Sequence, residues 1–180
     1  MKLAALALGA LLVLSGCQTA PLVPAYEARA EDAHYEGRLA VRVENDPDRS
    51  FSANFVLEGS SRAGRLSLST ALGNQVAMAR WLPGRVWLVN SDGTHEFKGL
   101  GELSRETLGE EVPLEAFFDW LGGRPWPGEP NAPLPGSAPG FRQLGWDVRL
   151  DRFADGLLVA QRNTAPAVTL RAKLDPSSSP

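Results

Sequence analysis

The chain has 180 residues, 43% hydrophobic and 22% charged, with a formal net charge of −3. This is the composition of one globular domain with room for a sizeable core. It holds no basic patch for nucleic acid and no block of like charge that would hold it electrostatically to a membrane.

At the start, Lys2 precedes an apolar run from Leu3 to Val13, followed by Leu14-Ser15-Gly16-Cys17. A positive residue, a short apolar stretch and small residues before a cut site predict a secretory signal peptide over residues 1–16. The run is too short for a transmembrane helix, which needs about 20 apolar residues. Cys17 is the only cysteine, and a free thiol in an exported protein invites intermolecular disulfides. Leu-Ser-Gly-Cys resembles the bacterial lipobox, so Cys17 is expected to be the lipidated first residue of the mature protein. Gln18 stands where an Asp would resemble the inner-membrane retention signal, which favours the outer membrane. Residues 17–32, with Pro21 and Pro24, read as a lipidated N-terminus and extended tether, turning helical towards Ala30.

The period then becomes two. Leu39, Val41 and Val43 alternate with Arg38, Ala40 and Arg42, and Asn45-Asp46-Pro47-Asp48 is a turn cluster. Phe51, Ala53, Phe55 and Leu57 alternate next, then Leu66 and Leu68 after Gly59-Ser60-Ser61. Gln75–Leu82, Val86–Val89 and Thr94–Lys98 complete six short runs joined by turn chemistry. Such spacing predicts an antiparallel meander with one apolar face.

From Leu100 to Glu111 alternation is lost and a short helix is expected. In Pro113–Leu121 the residues Leu114, Phe117, Phe118 and Leu121 form one helical stripe, with Pro113 at its start and Gly122 as its stop. Pro125–Gly140 carries six prolines and reads as a loop that cannot be a central strand. Strands resume at Trp146–Leu150, Leu157–Arg162 and Val168–Leu174; residues 176–180 read as a disordered tail. Residues 33–175 are thus one domain, in which the helices are the only candidates to cover the apolar sheet face.

Catalysis finds little footing. No Gly-x-Ser-x-Gly elbow occurs, and His34 and His95 lack a neighbouring Cys or His. Metal-ligand spacing and phosphate-binding glycine loops are missing. Neither an enzyme nor a cofactor or metal site is expected.

Five motifs in order carry a family resemblance. Gly37-Arg38-Leu39-Ala40-Val41-Arg42 is similar to the opening strand of the LolB family, and Leu72-Gly73 to its Pro-Leu-Gly hairpin loop, with Ala71 replacing the proline. Trp120-Leu121-Gly122-Gly123-Arg124-Pro125 resembles its Trp-Leu-x-Gly-x-Pro helix end. Gly145-Trp146-Asp147-Val148 resembles its Gly-Trp-x-Val strand, and Val168–Asp175 its last strand. The chain departs from the pattern at Leu57, often Trp in the family, and at Leu150, often Tyr.

The resemblance implies a mostly β fold: a curved, incompletely closed antiparallel barrel with short helices over the opening, shared with the periplasmic carrier LolA. It also implies a task, to accept triacylated lipoproteins from LolA and insert them into the outer membrane, the protein acting as a monomer held by its lipid. Leu72 and Gly73 would form a membrane-insertion loop. Shared parity within each strand places Leu39, Val41, Phe51, Phe55, Leu66, Leu68, Trp146 and Val148 on the wall of an acyl-chain cavity. Ala53 shares that parity, its small side chain leaving room. A Phe55→Arg change is therefore expected to harm acyl binding more than folding. A lipocalin-like carrier of a small apolar ligand and a structural lipoprotein of an outer-membrane assembly remain as alternatives.

Overall fold

The computed structural model describes residues 23–27, 29, 32–109 and 111–178; the segment expected to be a signal peptide lies outside them, as does Cys17. β1 (Ala33–Val43) buries Tyr35, Leu39, Val41 and Val43 and exposes Arg38 and Arg42. That alternation is the period of a sheet with one dry face. It pairs with the 14-residue β2 (Asp46–Gly59), and the meander continues through β3 (Gly64–Ser69), β4 (Gln75–Leu82), β5 (Arg85–Asn90) and β6 (Gly93–Phe97). Two helices follow, α1 (Leu100–Leu108) and α2 (Leu114–Leu121). The second run of strands is β7 (Asn131–Pro133), β8 (Gly140–Gln143), β9 (Trp146–Arg149), β10 (Leu157–Arg162) and β11 (Val168–Leu174).

All pairings are antiparallel. β11 closes back onto β1, giving one sheet in the order β6-β5-β4-β3-β2-β1-β11-β10-β9-β8-β7. β6 and β7 stay unpaired edges, so the barrel is open. Both edges are poor templates for further strands: β6 carries exposed His95 and Glu96, and the three-residue β7 ends on Pro133.

Curvature has local causes. Register shifts occur between Val41 and Val43 and between Leu68 and Ser69, and such bulges bend a strand. At Gly37, φ is 150° and an added Cβ would sit 2.0 Å from the Lys173 carbonyl oxygen. Only glycine lets β1 and β11 approach this closely.

Four expectations differ from the structure. Asp46–Asp48 begins β2 rather than forming the turn, because Asn45 at φ 58° with Glu44 makes the hairpin and Asp46 pairs with Val43. The first helix stops at Leu108, where Gly109 adopts φ 69° and ends it. Two short strands, β7 and β8, lie within and just beyond the proline-rich stretch; β9 supplies the register that propensity could not. The tail as far as Ser178 is held: Asp175 N–H donates to the Glu36 carbonyl at 2.9 Å, and Ser178 Oγ accepts from Glu36 N–H at 3.0 Å.

The segment expected to be a free tether is clasped too. The Tyr26 hydroxyl donates to Asp32, whose Oδ2 also accepts from Arg29 N–H at 2.7 Å. The Tyr26 ring lies 5.4 Å from the guanidinium of Arg80 on the outer side of β4. Burial beneath it, aided by the charge of Arg65, lowers the pKa of Arg80.

Candidate binding cavity

α1 and α2 lie across the concave face, held by specific bonds. On α1, the buried Ser104 Oγ accepts from Val112 N–H at 3.0 Å and donates to the Gly101 carbonyl at 3.1 Å, fastening the helix to the α1–α2 connection. α2 is apolar almost all round: Ala116, Phe117, Phe118, Trp120 and Leu121 are buried, as suits a helix seated inside a barrel. Its Trp120 Nε1–H donates to Gln143 Oε1 at 2.9 Å. That oxygen also accepts from Trp126 N–H at 2.9 Å, while Gln143 Nε2 donates to the carbonyls of Trp126 and Glu129, each at 2.7 Å. The buried Gln143 thus makes all four of its hydrogen bonds.

On one side of α2 the space is full. Trp120 packs against Phe141 and Trp146, with ring centroids 6.4 and 6.2 Å away, over Val148, Leu158 and Ala160. Trp81 meets Phe118 edge-on at 5.8 Å, and its Nε1–H donates to the Ser60 carbonyl at 2.9 Å. Tyr35 lies in this packed region; its hydroxyl has no hydrogen-bond partner among the described residues, and burial raises its pKa, partly offset by Arg124.

On the other side the helices and the sheet do not meet. A cavity of about 540 Å³ remains. Its walls are Leu39 and Val41 of β1, Phe51 and Ala53 of β2, Leu66 and Leu68 of β3, Ala77 and Ala79 of β4, Leu88 of β5 and Leu170 of β11. Leu103 and Leu108 of α1, Val112, and Leu114 and Phe117 of α2 form the roof. Alanines at Ala53, Ala77 and Ala79 are too small to reach the helices, and the gap stays open. Polar groups are confined chiefly to the rim, where Asp48, Arg49, Asn90 and Ser91 stand.

Of the eight side chains expected on the wall, the structure brings Leu39, Val41, Phe51, Leu66 and Leu68 together. Phe55, Trp146 and Val148 are not among the lining residues. Phe55, opposite Gly37 and Leu68, is 2% exposed in the packed core. Trp146 and Val148 are packed beneath α2. Parity gave these three the correct face; it does not report which sector of that face a helix fills. The roof and the β4–β5 wall went unnamed, though Ala77 and Ala79 share one parity and the apolar stripe of α2 was readable.

The mouth lies at the end of the sheet that carries the β3–β4 turn. Leu72 at the tip of that turn is 90% exposed, and Val76, on the rim, is 46% exposed. Thr70 N–H donates to the Asn74 carbonyl and the Gly73 N–H to that of Thr70, both at 2.9 Å, with Gly73 at φ 85°. From Leu66 to Ala79 the hairpin carries no charged residue.

Fold and site together define a class: an incompletely closed β-barrel that keeps an apolar cavity under a helical cover. Residues 31–174 match the family model described as outer membrane lipoprotein LolB. The chain is 33% identical to the outer-membrane lipoprotein LolB of Bordetella petrii, covering 87% of this chain and 83% of that one. It is 31% identical to that of Cupriavidus pinatubonensis (92% and 82% covered) and 30% identical to that of Chromobacterium violaceum (80% and 79%). The chain belongs to the LolB family, and is a lipid-anchored outer-membrane lipoprotein of the Lol system.

Proposed function

We propose that this protein accepts triacylated lipoproteins from the periplasmic carrier LolA, houses acyl chain in its cavity, and delivers the cargo into the outer membrane. The observation that carries this is the apolar cavity opening at the same end as the exposed Leu72. The need is physical. Three chains of about 16 carbons, at ~0.8 kcal/mol per CH₂, cost on the order of 40 kcal/mol to leave in water. Every handover must keep them covered. The sequence has no nucleotide-binding motif, so transfer runs down a gradient of affinity between carrier, receptor and bilayer. Lipid on Cys17 holds the protein at the membrane. Leu72 inserts there, and because one buried leucine is worth only about 1.5–3 kcal/mol, it aims the mouth rather than anchoring the chain. The protein works as a binding and transfer factor without catalysis.

Transfer of a radiolabelled lipoprotein from the loaded carrier to the lipid-anchored protein in liposomes tests this. Phe51→Arg, which puts a charge on a partly buried stretch of wall near the rim, is expected to cut acceptance at least tenfold while lowering the urea midpoint much less than a charge in the packed core would. Acceptance at the normal rate would refute the cavity's role.

A further inference from the structure

In an antiparallel meander, alternate turns share an end. The turns after β1, β3, β5, β8 and β10 therefore lie at one end of this sheet. Among the described residues three large apolar side chains are exposed, Leu72, Val76 and Leu144. All three stand at that end, where the cavity opens. Leu144 forms, with Gly145, the two-residue turn between the paired Gln143 and Trp146. Both turn residues have positive φ, 53° at Leu144 and 78° at Gly145. This is the backbone of a tight hairpin turn in which Asn-Gly is favoured, and a bulky side chain is strained there. Among the described residues the other non-glycine positions with positive φ are Asn45 and Ser137; of these three, only Leu144 is apolar. Packing does not account for it, since Leu144 is 41% exposed while Gln143 and Trp146 on either side are each 1% exposed. The turn is thus a rigid mount that holds a leucine outward where a polar residue would fold better.

We infer that Leu144 is a second membrane contact, seated in the surface of the bilayer together with Leu72. Two tips on separate hairpins fix the tilt of the mouth, which one tip leaves free. The occupant is a lipid surface: the protein is a lipid-anchored outer-membrane protein, and both tips stand at the end of the sheet where the apolar cavity opens. This inference rests on the reading of Leu72 given above.

The test uses the full-length lipid-anchored protein in liposomes. Leu144→Asn suits the turn, so Tm is expected to rise by about 2–4 °C while insertion of cargo slows about three- to tenfold. Because Cys17 is acylated, a cysteine introduced at 144 is the only free thiol. An environment-sensitive dye on Leu144→Cys should shift to the blue and be shielded from iodide, unlike the same dye on Arg62→Cys at the opposite end. Normal insertion by Leu144→Asn alongside slow insertion by Leu72→Glu would overturn the second contact and leave the function standing. Normal insertion by both would overturn the two contacts together. A fall in Tm with Leu144→Asn would make Leu144 a packing residue and also overturn the proposal.

Discussion

The two sides of α2 are built from the same alternating strands, yet one is solid and the other hollow. Beneath β8–β10 the inward positions hold the buried Phe141, Trp146, Val148 and Leu158, and the first two pack against Trp120. Beneath β2–β5 they include Ala53, Ala77 and Ala79, which fall short of α1. The solid side carries the cost of the hollow one: it concentrates aromatic packing and a fully satisfied glutamine where the helical cover is fixed. Stability and capacity are thus separated in space.

Substitutions that cut either side sharpen the contrast. The largest effect is expected from Trp120→Ala, which empties the solid side and should cost about 3–5 kcal/mol in urea unfolding. Gln143→Leu comes next. It strands the N–H groups of Trp120 and Trp126 without acceptors and should cost about 2–4 kcal/mol. Leu68→Ala on the hollow wall should cost less, about 1–2 kcal/mol, because that side chain is only partly buried and faces a space that is already open, while altering the affinity for an apolar fluorescent dye. A cost as large as that of Trp120→Ala would erase the contrast.

The smallest effect concerns the clasp at the N-terminus. The hydroxyl of Tyr26 holds the Asp32 carboxyl below the usual carboxylate range. A lowered folded-state value gives stability that is present above the unfolded value, about 3.9, and lost as pH falls through the folded one. Solvent screening keeps its worth to a few tenths of a kcal/mol. Tyr26→Phe should raise the Asp32 pKa, read by NMR titration, with little change in the urea midpoint.

The contrast also explains what was legible in the sequence. Period-two alternation in β1–β3 and the stripe of α2 give the sheet, its apolar face and its helical cover, because those patterns are local. The motif order from Gly37 to Asp175 gives the family. Which part of the face is hollow depends on where α2 settles, and that is decided by Gln143 and Trp146, far along the chain from the walls. Phe55 shows the consequence: it has the parity of Phe51 but is fully packed, so Phe55→Arg is expected to abolish folding rather than to spare it. β7 and β8 were illegible because they are three and four residues long and take their register from β9.

The clasp of Tyr26 on Arg80 also sets the length of a leash. Nine peptide steps separate Cys17 from Tyr26, and fully extended they span at most about 30 Å. Arg80 lies towards the end of β4 remote from the Leu72 turn, five residues beyond the first strand residue, Gln75, or about 17 Å along the strand. If Cys17 carries lipid as proposed, that reach exceeds the rise along β4, so the barrel can lay its mouth on the bilayer with the Tyr26 clasp closed. Releasing Tyr26 would lengthen the leash and widen the range of tilts open to the mouth.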